Sequence, residues 1–539
     1  MNWKNCFNSV KSQNLLKDPA YQNLIVYLRA YQDFEFFVQY FFPDYCPFPF
    51  SSMHLSFFDA ETDPEQRNRR DVIAAPRGNA KTTFKVLFKV LHAIVYDYER
   101  FILIIGHSAS EAEAKVRDIL DELSQNPRLH RVFGQLAPLK GQGKANSKAF
   151  ITQNGIKVMA KSRGQEVRGL KHGAYRPSFI ILDDVEAPDR VLNEEQRYKT
   201  QQWFQKDILK LGAPGGGTNI TMIGTCLHPE SLLTELLQSP GWQAQKYQSI
   251  QKWSQNPKLW DEWKTLFTDL SDPAREYSAQ AFFEAHQAEM LQGTEVLWPE
   301  AESYLFLMKM RVNEGIASFN SEKQNDPHDP NRQVFDMTLA RRFSLTLNEQ
   351  GVVAALKHDT GKVVDAYELV DIVAFHDPAL GEGLAHDYAA IVVVAQDSYG
   401  YLYCLDAWLE KAKPDRQIEQ AYRLQAKWQF ERLYLEDNNF QGLLKMNYRD
   451  KQLEYPEQPL RVQGITQHQN KEKRISTLEP LISNGHLLFA DNLNPLLMQQ
   501  LLLFPTSHDD GPDALHGAVA QLKRGKGRIE QVRYGTIPE

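Results

Sequence analysis

No stretch of this sequence approaches ~18 uninterrupted apolar residues, so it offers no transmembrane helix. The first residues, MNWKNCFNSVKSQNLLKDP, lack the apolar centre of a signal peptide, and the expectation is a soluble, intracellular protein with no membrane partner. Cysteine is scarce. Cys6, Cys46, Cys226 and Cys404 lie far apart with no CxxC pair, which argues against a disulfide framework or a structural zinc site and suits a reducing cytoplasm. His376, His386, His508 and His516 show no zinc spacing either. No internal repeat or low-complexity tract is present. An excess of positive charge is also missing, the formal net charge being −7. A protein that permanently coats nucleic acid is normally basic, so any DNA contact must be local, transient or metal-assisted.

What is present is core-forming material on the scale of several domains. The chain has 539 residues, which at ~150 per domain implies two or three. Hydrophobic residues at 42% and charged residues at 24% exclude a disordered or collagenous chain. Residues 1–60 read as an aromatic-rich lead-in, helical and then broken by proline. From residue 71, strand–loop–helix alternation begins: DVIAA, a helix over KTTFKVLFKVLHAIVYDY, FILIIG, a Ser-capped helix over SASEAEAKVRDILDELSQ, then GIKVMA, PSFIILDD and NITMIGT. Apolar strands separated by helices predict a parallel sheet covered on both faces. This first domain is expected over 61–325, with a Trp-rich helical lid at about 228–325. The polar, Pro-punctuated NDPHDPNRQ at 325–333 marks the boundary, and 326–365 reads as a linker leading into the second domain. There DIVAFHDPA, YAAIVVVAQD and YLYCLDAWLE predict three antiparallel strands, followed by αβ units. That is the order of an RNase H-like sheet, expected over 366–522. A basic tail occupies 523–539.

The segment AAPRGNAKTT, residues 74–83, sits between a strand and a helix. A phosphate loop needs inward N–H groups, a helix N-terminus behind them and a lysine reaching the β/γ-phosphates. Lys81 and Thr82 hold the Lys and Mg²⁺-binding Thr positions of GxxxxGK[ST], while Ala75 and Ala80 replace both glycines. Candidate ATP contacts are Pro76, Arg77, Gly78, Asn79, Ala80, Lys81, Thr82 and Thr83. The strand SFIILDDVE ends in carboxylates that suit a Mg²⁺ shell. Asp183 is the candidate metal ligand, and Asp184 or Glu186 the residue that orients the attacking water. Arg77 is placed to stabilise transition-state charge, and Thr225, closing TMIGT, to sense the γ-phosphate.

In the second half, Asp377 and Glu436 end predicted strands, and HDDGPDALHG at 508–517 opens the last helix. Two-metal phosphodiester cleavage needs carboxylates from different strands to converge on Mg²⁺ or Mn²⁺ ions ~3.5–4 Å apart. Asp509, Asp510 and Asp513 are candidates for the third ligand, or for capping that helix. Lys471 and Arg474 are candidate phosphate contacts, or part of a solvated charge run.

The order of a Gly-poor phosphate loop with internal Arg, LDD on a later strand, a hinge, then Asp, Glu and DDxxDA resembles the large terminase subunit of tailed bacteriophages across essentially the whole chain. EVRGLKHGAYRPSFIILDD looks like the family's lead into its second nucleotide motif, and FNSEKQNDP like its end-of-ATPase signature. The resemblance implies an ASCE-type ATPase that translocates double-stranded DNA, followed by an RNase H-like nuclease that cuts concatemers. It carries Arg77, Lys81 and Thr82 to loop roles, Asp183 to magnesium, Thr225 to coupling, and Asp377, Glu436 and Asp510 to nuclease metals. It implies a portal protein and a small terminase subunit as partners, a homo-oligomeric ring on the portal from a chain that can be monomeric in solution, and work in the host cytoplasm at the procapsid portal vertex rather than in the mature virion. One departure stands out: Asp183-Asp184 replaces the family's frequent Asp-Glu, with Glu186 beyond. Two other readings compete, a repair-type helicase–nuclease and an assembly component that nucleotide merely regulates. The helicase would need a second motor domain for which the chain has no room; DNA-stimulated ATP turnover separates the motor from the assembly component.

Overall fold

The structure is a computed structural model that describes residues 18–61, 63, 66–139, 146–327, 334–349, 353–379, 388–436, 441–456, 459–467, 470–506 and 508–532. Residues before 18, most of the 325–333 stretch, His386, and the side chains of the basic tail lie outside that description. The chain divides into two units. The first comprises Met1–Ser254, Gly293–Lys309 and Ala317–Asp329, and the second comprises Gln255–Gln292, Met310–Ile316 and Pro330–Glu539. No helix among the described residues is long and apolar enough to cross a membrane.

The first unit is built on strands β1 (Arg70–Ala74), β2 (Phe101–Gly106), β3 (Ala149–Ile151), β4 (Lys157–Ser162), β5 (Phe179–Asp183), β6 (Asn219–Gly224) and β7 (Gln243–Lys246), in the order β3-β4-β2-β5-β6-β1-β7. All neighbours are parallel except β3 and β4. The continuous apolar runs follow from burial on both faces. Ile102 and Ile104 join the core on one side of the sheet, and Leu103 and Ile105 the core on the other. Ser108 accepts from the Glu111 amide and caps the helix Ala109–Gln125, as its sequence predicts. The aromatic lead-in forms three helices, Pro19–Gln32, Phe34–Phe41 and Ser52–Asp59, whose Phe37, Phe41 and Phe57 are fully buried in the first of these cores.

After the short strands β8 (Ile250–Lys252) and β9 (Glu295–Val296), the second unit's sheet contains β10 (Arg341–Leu347), β11 (Val353–His358), β12 (Val363–Asp365), β13 (Leu369–Asp377), β14 (Ala389–Asp397), β15 (Leu402–Glu410), β16 (Arg432–Glu436), β17 (Arg461–Ile465) and β18 (Leu487–Ala490). Their order is β12-β11-β10-β18-β15-β14-β13-β16-β17. The antiparallel β13–β14–β15 meander, with β16 parallel to β13, is the predicted RNase H-like arrangement. Within the stretch read as a linker and entry to the second domain, β10 pairs parallel to β18, and β11 and β12 extend the same sheet. Half-polar strands such as these carry too weak an alternation to stand out in sequence. The helices Pro257–Thr268 and Arg275–Met290, read as part of the lid, group with this unit, where Lys264 Nζ donates to the Ser483 carbonyl at 3.0 Å and the Tyr401 hydroxyl to Asp269 at 3.1 Å.

Candidate functional site

In the first unit, β1 ends at Ala74 and the chain turns through 75–80 before a helix starts at Lys81. Residues Thr83–Phe88 of that helix are π-helical, a form concentrated at functional sites. Gly78 and Ala80 take left-handed φ values of +87° and +56°. Ala80 stands where the phosphate-loop pattern has glycine, so its Cβ bears a strain of about 1–2 kcal/mol. Lys81 Nζ donates to the Thr225 hydroxyl at 3.4 Å and lies 4.0 Å from Asp184 Oδ2. The Thr82 hydroxyl donates to Asp183 Oδ1 at 3.1 Å. Strand order explains these meetings. β6 lies between β1 and β5, with Ala74 opposite Gly224 and Asp183 opposite Ile223, so the loop, Thr225 and the two aspartates all leave the same end of the sheet.

Asp184 and Glu186 are separated by their surroundings. Asp184 has φ +46°, its amide donates to the Ile223 carbonyl, and its side chain is 45% exposed beside Lys81. Glu186 spends both oxygens on the helix Leu232–Gln238, accepting from the Leu232 amide at 2.8 Å and the Leu233 amide at 3.0 Å. Burial pushes its carboxyl up, against the pull of those two amides. Arg77 is 73% exposed and pairs with Glu322 at 3.2 Å.

Four residues here, Lys115, Lys323, Glu302 and Asn325, were not singled out by the sequence reading. Lys115 Nζ lies 2.6 Å from Asp183 Oδ2. Burial raises the fully buried Asp183 carboxyl, and Lys115 is the strongest influence opposing it. The available signal was position: Lys115 falls inside the helical stripe Ala112, Val116, Ile119, Leu123, where an amphipathic helix has no use for a free charge. Lys323, buried in FNSEKQNDP, donates to the Arg77 carbonyl at 2.6 Å and pairs with Glu302, which accepts from Asn79 Nδ2 at 3.0 Å. The same segment reaches the Thr225 end of β6, where Asn325 Oδ1 accepts from the Cys226 amide at 2.9 Å.

In the second unit, Asp377 ends β13 and Glu436 ends β16, and the two strands are parallel neighbours with His376 opposite Leu435. The helix Asp510–Val532 packs on β13 and β14. Carboxylate oxygens of Asp377, Glu436 and Asp513 lie within 4.8 Å of one another. Of the three candidates on this segment, the structure brings Asp513, one turn beyond Asp510 along the helix, into the three-way group. Asp510 Oδ2 instead accepts from the Tyr388 amide at 3.3 Å, and Asp509 pairs with Lys471 at 2.9 Å. Asp513 lies inside the helix, its amide bonded to the Asp509 carbonyl, and its side chain accepts from Arg474 rather than from a backbone amide.

Lys471 and Arg474 are part of the site rather than a solvated run. Lys471 Nζ lies 3.7 Å from Asp377 and 3.5 Å from Asp513, and Arg474 Nη2 lies 3.1 Å from Asp513 and 3.7 Å from Glu436. Burial pushes the Asp377 carboxyl well above its ordinary value, with Glu436 and Asp513 adding to the push and Lys471 opposing it. Burial likewise raises Asp513 to about 6. Burial pulls the Lys471 ammonium down, but Asp377, Asp513 and Asp509 outweigh it and hold it above its ordinary value. Asp513 Oδ1 is buried without a hydrogen-bond partner. Converging carboxylates with such an oxygen fit a hard divalent cation such as Mg²⁺ or Mn²⁺.

Residues 377–487, which begin at the first of these carboxylates, match the family model of the terminase ribonuclease H-like domain of bacteriophage T7. No curated protein matches the sequence. Among solved structures, the large terminase from a thermophilic bacteriophage in complex with ADP is similar at TM-score 0.42 and 8% identity, covering 88% of this chain and 100% of that one. The human cytomegalovirus terminase nuclease domain is similar at TM-score 0.24 and 13% identity, covering 29% of this chain and 86% of that one. Within this chain, residues 377–487 are thus similar to a terminase RNase H-like domain, a match that takes in Asp377 and Glu436 and ends before Asp513.

Proposed function

We propose that this chain is the motor and nuclease of viral DNA packaging: it hydrolyses ATP to translocate double-stranded DNA into a procapsid and cuts concatemeric DNA by two-metal chemistry. The observation that carries this reading is the joining, in one chain, of the Thr82–Asp183 and Lys81–Thr225 contacts to the Asp377, Glu436 and Asp513 cluster. In the first unit, Lys81 binds the β/γ-phosphates, Pro76 to Thr83 cradle them, and Thr82 with Asp183 holds Mg²⁺. Asp184 orients the attacking water, because Glu186 is committed to a helix terminus. Arg77 turns from Glu322 to the γ-phosphate, and Thr225, already bonded to Lys81, registers its loss.

In the second unit, Asp377, Glu436 and Asp513 hold Mg²⁺ or Mn²⁺, which when bound lowers the pKa of the attacking water and neutralises charge at the leaving oxygen. Lys471 and Arg474 balance the carboxylates and meet the incoming phosphodiester. A portal protein, a small terminase subunit, a ring of copies and the host cytoplasm complete the proposal. The test uses the full-length protein. DNA-stimulated ATP turnover, together with supercoiled-plasmid cleavage that needs Mn²⁺ and stops with EDTA, is expected. ATP turnover indifferent to DNA, with no cleavage, returns the chain to an assembly component.

A further inference from the structure

The first unit has a cavity of about 600 Å³ at the end of the sheet opposite the phosphate loop. Arg70 opens β1 at this cavity, whereas the loop leaves the far end of the same five-residue strand, roughly 16 Å away. Arg70, Arg176 and Lys210 line it, and no carboxylate does. Among the described residues, none of these three exposed side chains has an ion-pair or hydrogen-bond partner. In a chain of net charge −7, that is a local concentration of uncompensated positive charge.

The wall that holds the cations is built rather than loose. Gly215, Gly216 and Gly217 take φ values of +85°, +96° and +100°, which side-chain-bearing residues rarely adopt. A Cβ on Gly216 would lie 2.6 Å from Asn68 Oδ1, and the Gly217 amide donates to that same oxygen at 2.5 Å. Next along, the Thr218 hydroxyl donates to the Pro177 carbonyl at 2.9 Å, beside Arg176. Asn219 Oδ1 accepts from the Arg69 amide at 3.0 Å, beside Arg70. The glycine turn thus ties together the backbones that carry two of the cations, and its lack of side chains leaves the cleft open.

We propose that this cleft grips the phosphodiester backbone of double-stranded DNA. A small anion is retained by buried donors, and here all three cations are exposed. Exposed cations around an open cleft suit a polyanion, whose affinity comes from releasing condensed counterions. The absence of buried polar donors also suits a contact that reads no sequence and lets go easily. The identity of the polyanion rests on the packaging reading.

The test measures duplex binding by the full-length protein in EDTA across a salt series. The logarithmic salt slope is expected to shrink by about 0.9 for each of Arg70→Ala, Arg176→Ala and Lys210→Ala, and by about 2.7 for the triple variant. DNA-free ATP turnover should be unchanged in all of them, which also reports that the unit remains folded. An unchanged slope in the triple variant overturns the proposal. So does an equal loss from Lys148→Ala, an exposed cation outside the cleft, since that would mean diffuse charge. Displacement of duplex by millimolar pyrophosphate at matched ionic strength would assign the cleft to a small anion and overturn it too. A wild-type chain that binds no duplex at all refutes the packaging reading itself, whereas one that binds duplex with the expected slopes but hydrolyses no ATP supports the cleft alone.

Discussion

Gly517 lies so close to the face of Phe375 that a Cβ added to it would sit 2.5 Å from the ring. The contact lies one helical turn after Asp513 and two residues before Asp377. It therefore sets how closely the last helix brings its carboxylate to the end of β13. Gly517→Ala should force the helix outward, costing about 1–3 kcal/mol of stability in the second unit. Plasmid cleavage should fall with it while ATP turnover persists. Wild-type cleavage in that variant would show that the helix position tolerates slack.

The carboxylates should sort by whether they join the three-way group. Asp377→Asn, Glu436→Gln and Asp513→Asn should each nearly abolish Mn²⁺-dependent cleavage, because each removes an oxygen from the shared cluster. Asp510→Asn, which lies outside it and holds the Tyr388 amide, should cost about tenfold. Nicking rates on supercoiled plasmid separate the two classes. Equal loss from Asp510→Asn would restore it to the metal shell.

Acid should weaken the metal site. The Asp513 carboxyl is raised by burial to about 6, above the ordinary ~3.9. Between those values the folded protein keeps a proton that the unfolded chain has lost, so this group's contribution to stability falls as pH rises through that window. Metal needs the carboxylate, so affinity for Mn²⁺ should fall about tenfold per pH unit below 6. Titration calorimetry at pH 5 and pH 7 reads the difference. Identical affinities would place the proton elsewhere.

Asp184→Asn should lower ATP turnover by about 10²–10⁴ while nucleotide still binds. Glu186→Gln should leave turnover within about tenfold but cost about 1 kcal/mol of stability, since it weakens the hold on the Leu232 and Leu233 amides. Turnover, nucleotide binding and melting, measured together on both variants, distinguish the two roles. Abolished turnover in Glu186→Gln alone would reverse them.

Lys115→Ala should leave the buried Asp183 without its cation. The expected cost is about 3 kcal/mol in nucleotide-free protein, partly recovered when Mg-ATP binds to the folded state. Melting temperatures with and without Mg-ATP test this. A melting temperature equal to wild type in both states would make the 2.6 Å pair incidental.

The elements whose chemistry is local were legible in the sequence. Lys81 and Thr82 follow an apolar strand and start a helix, Asp183 ends a strand buried on both faces, and Asp377 and Glu436 end strands of the meander and its αβ continuation. Each of those signals lies within about ten residues and follows from strand and helix periodicity. Three-dimensional packing decided the rest, because side chains distant in sequence compete for the same positions. Asp510 and Asp513 are one helical turn apart and alike in sequence; with the helix seated on Phe375, it is Asp513 whose carboxylate meets those of Asp377 and Glu436. Asp184 and Glu186 are two residues apart; the amides of a helix some 46 residues later take up one and leave the other beside Lys81. Lys115 and Lys323 meet Asp183 and the Arg77 carbonyl only because the sheet order gathers the ends of β1, β5 and β6. A carboxylate's type is written in the chain, but its task depends on which donors the fold brings within hydrogen-bonding distance.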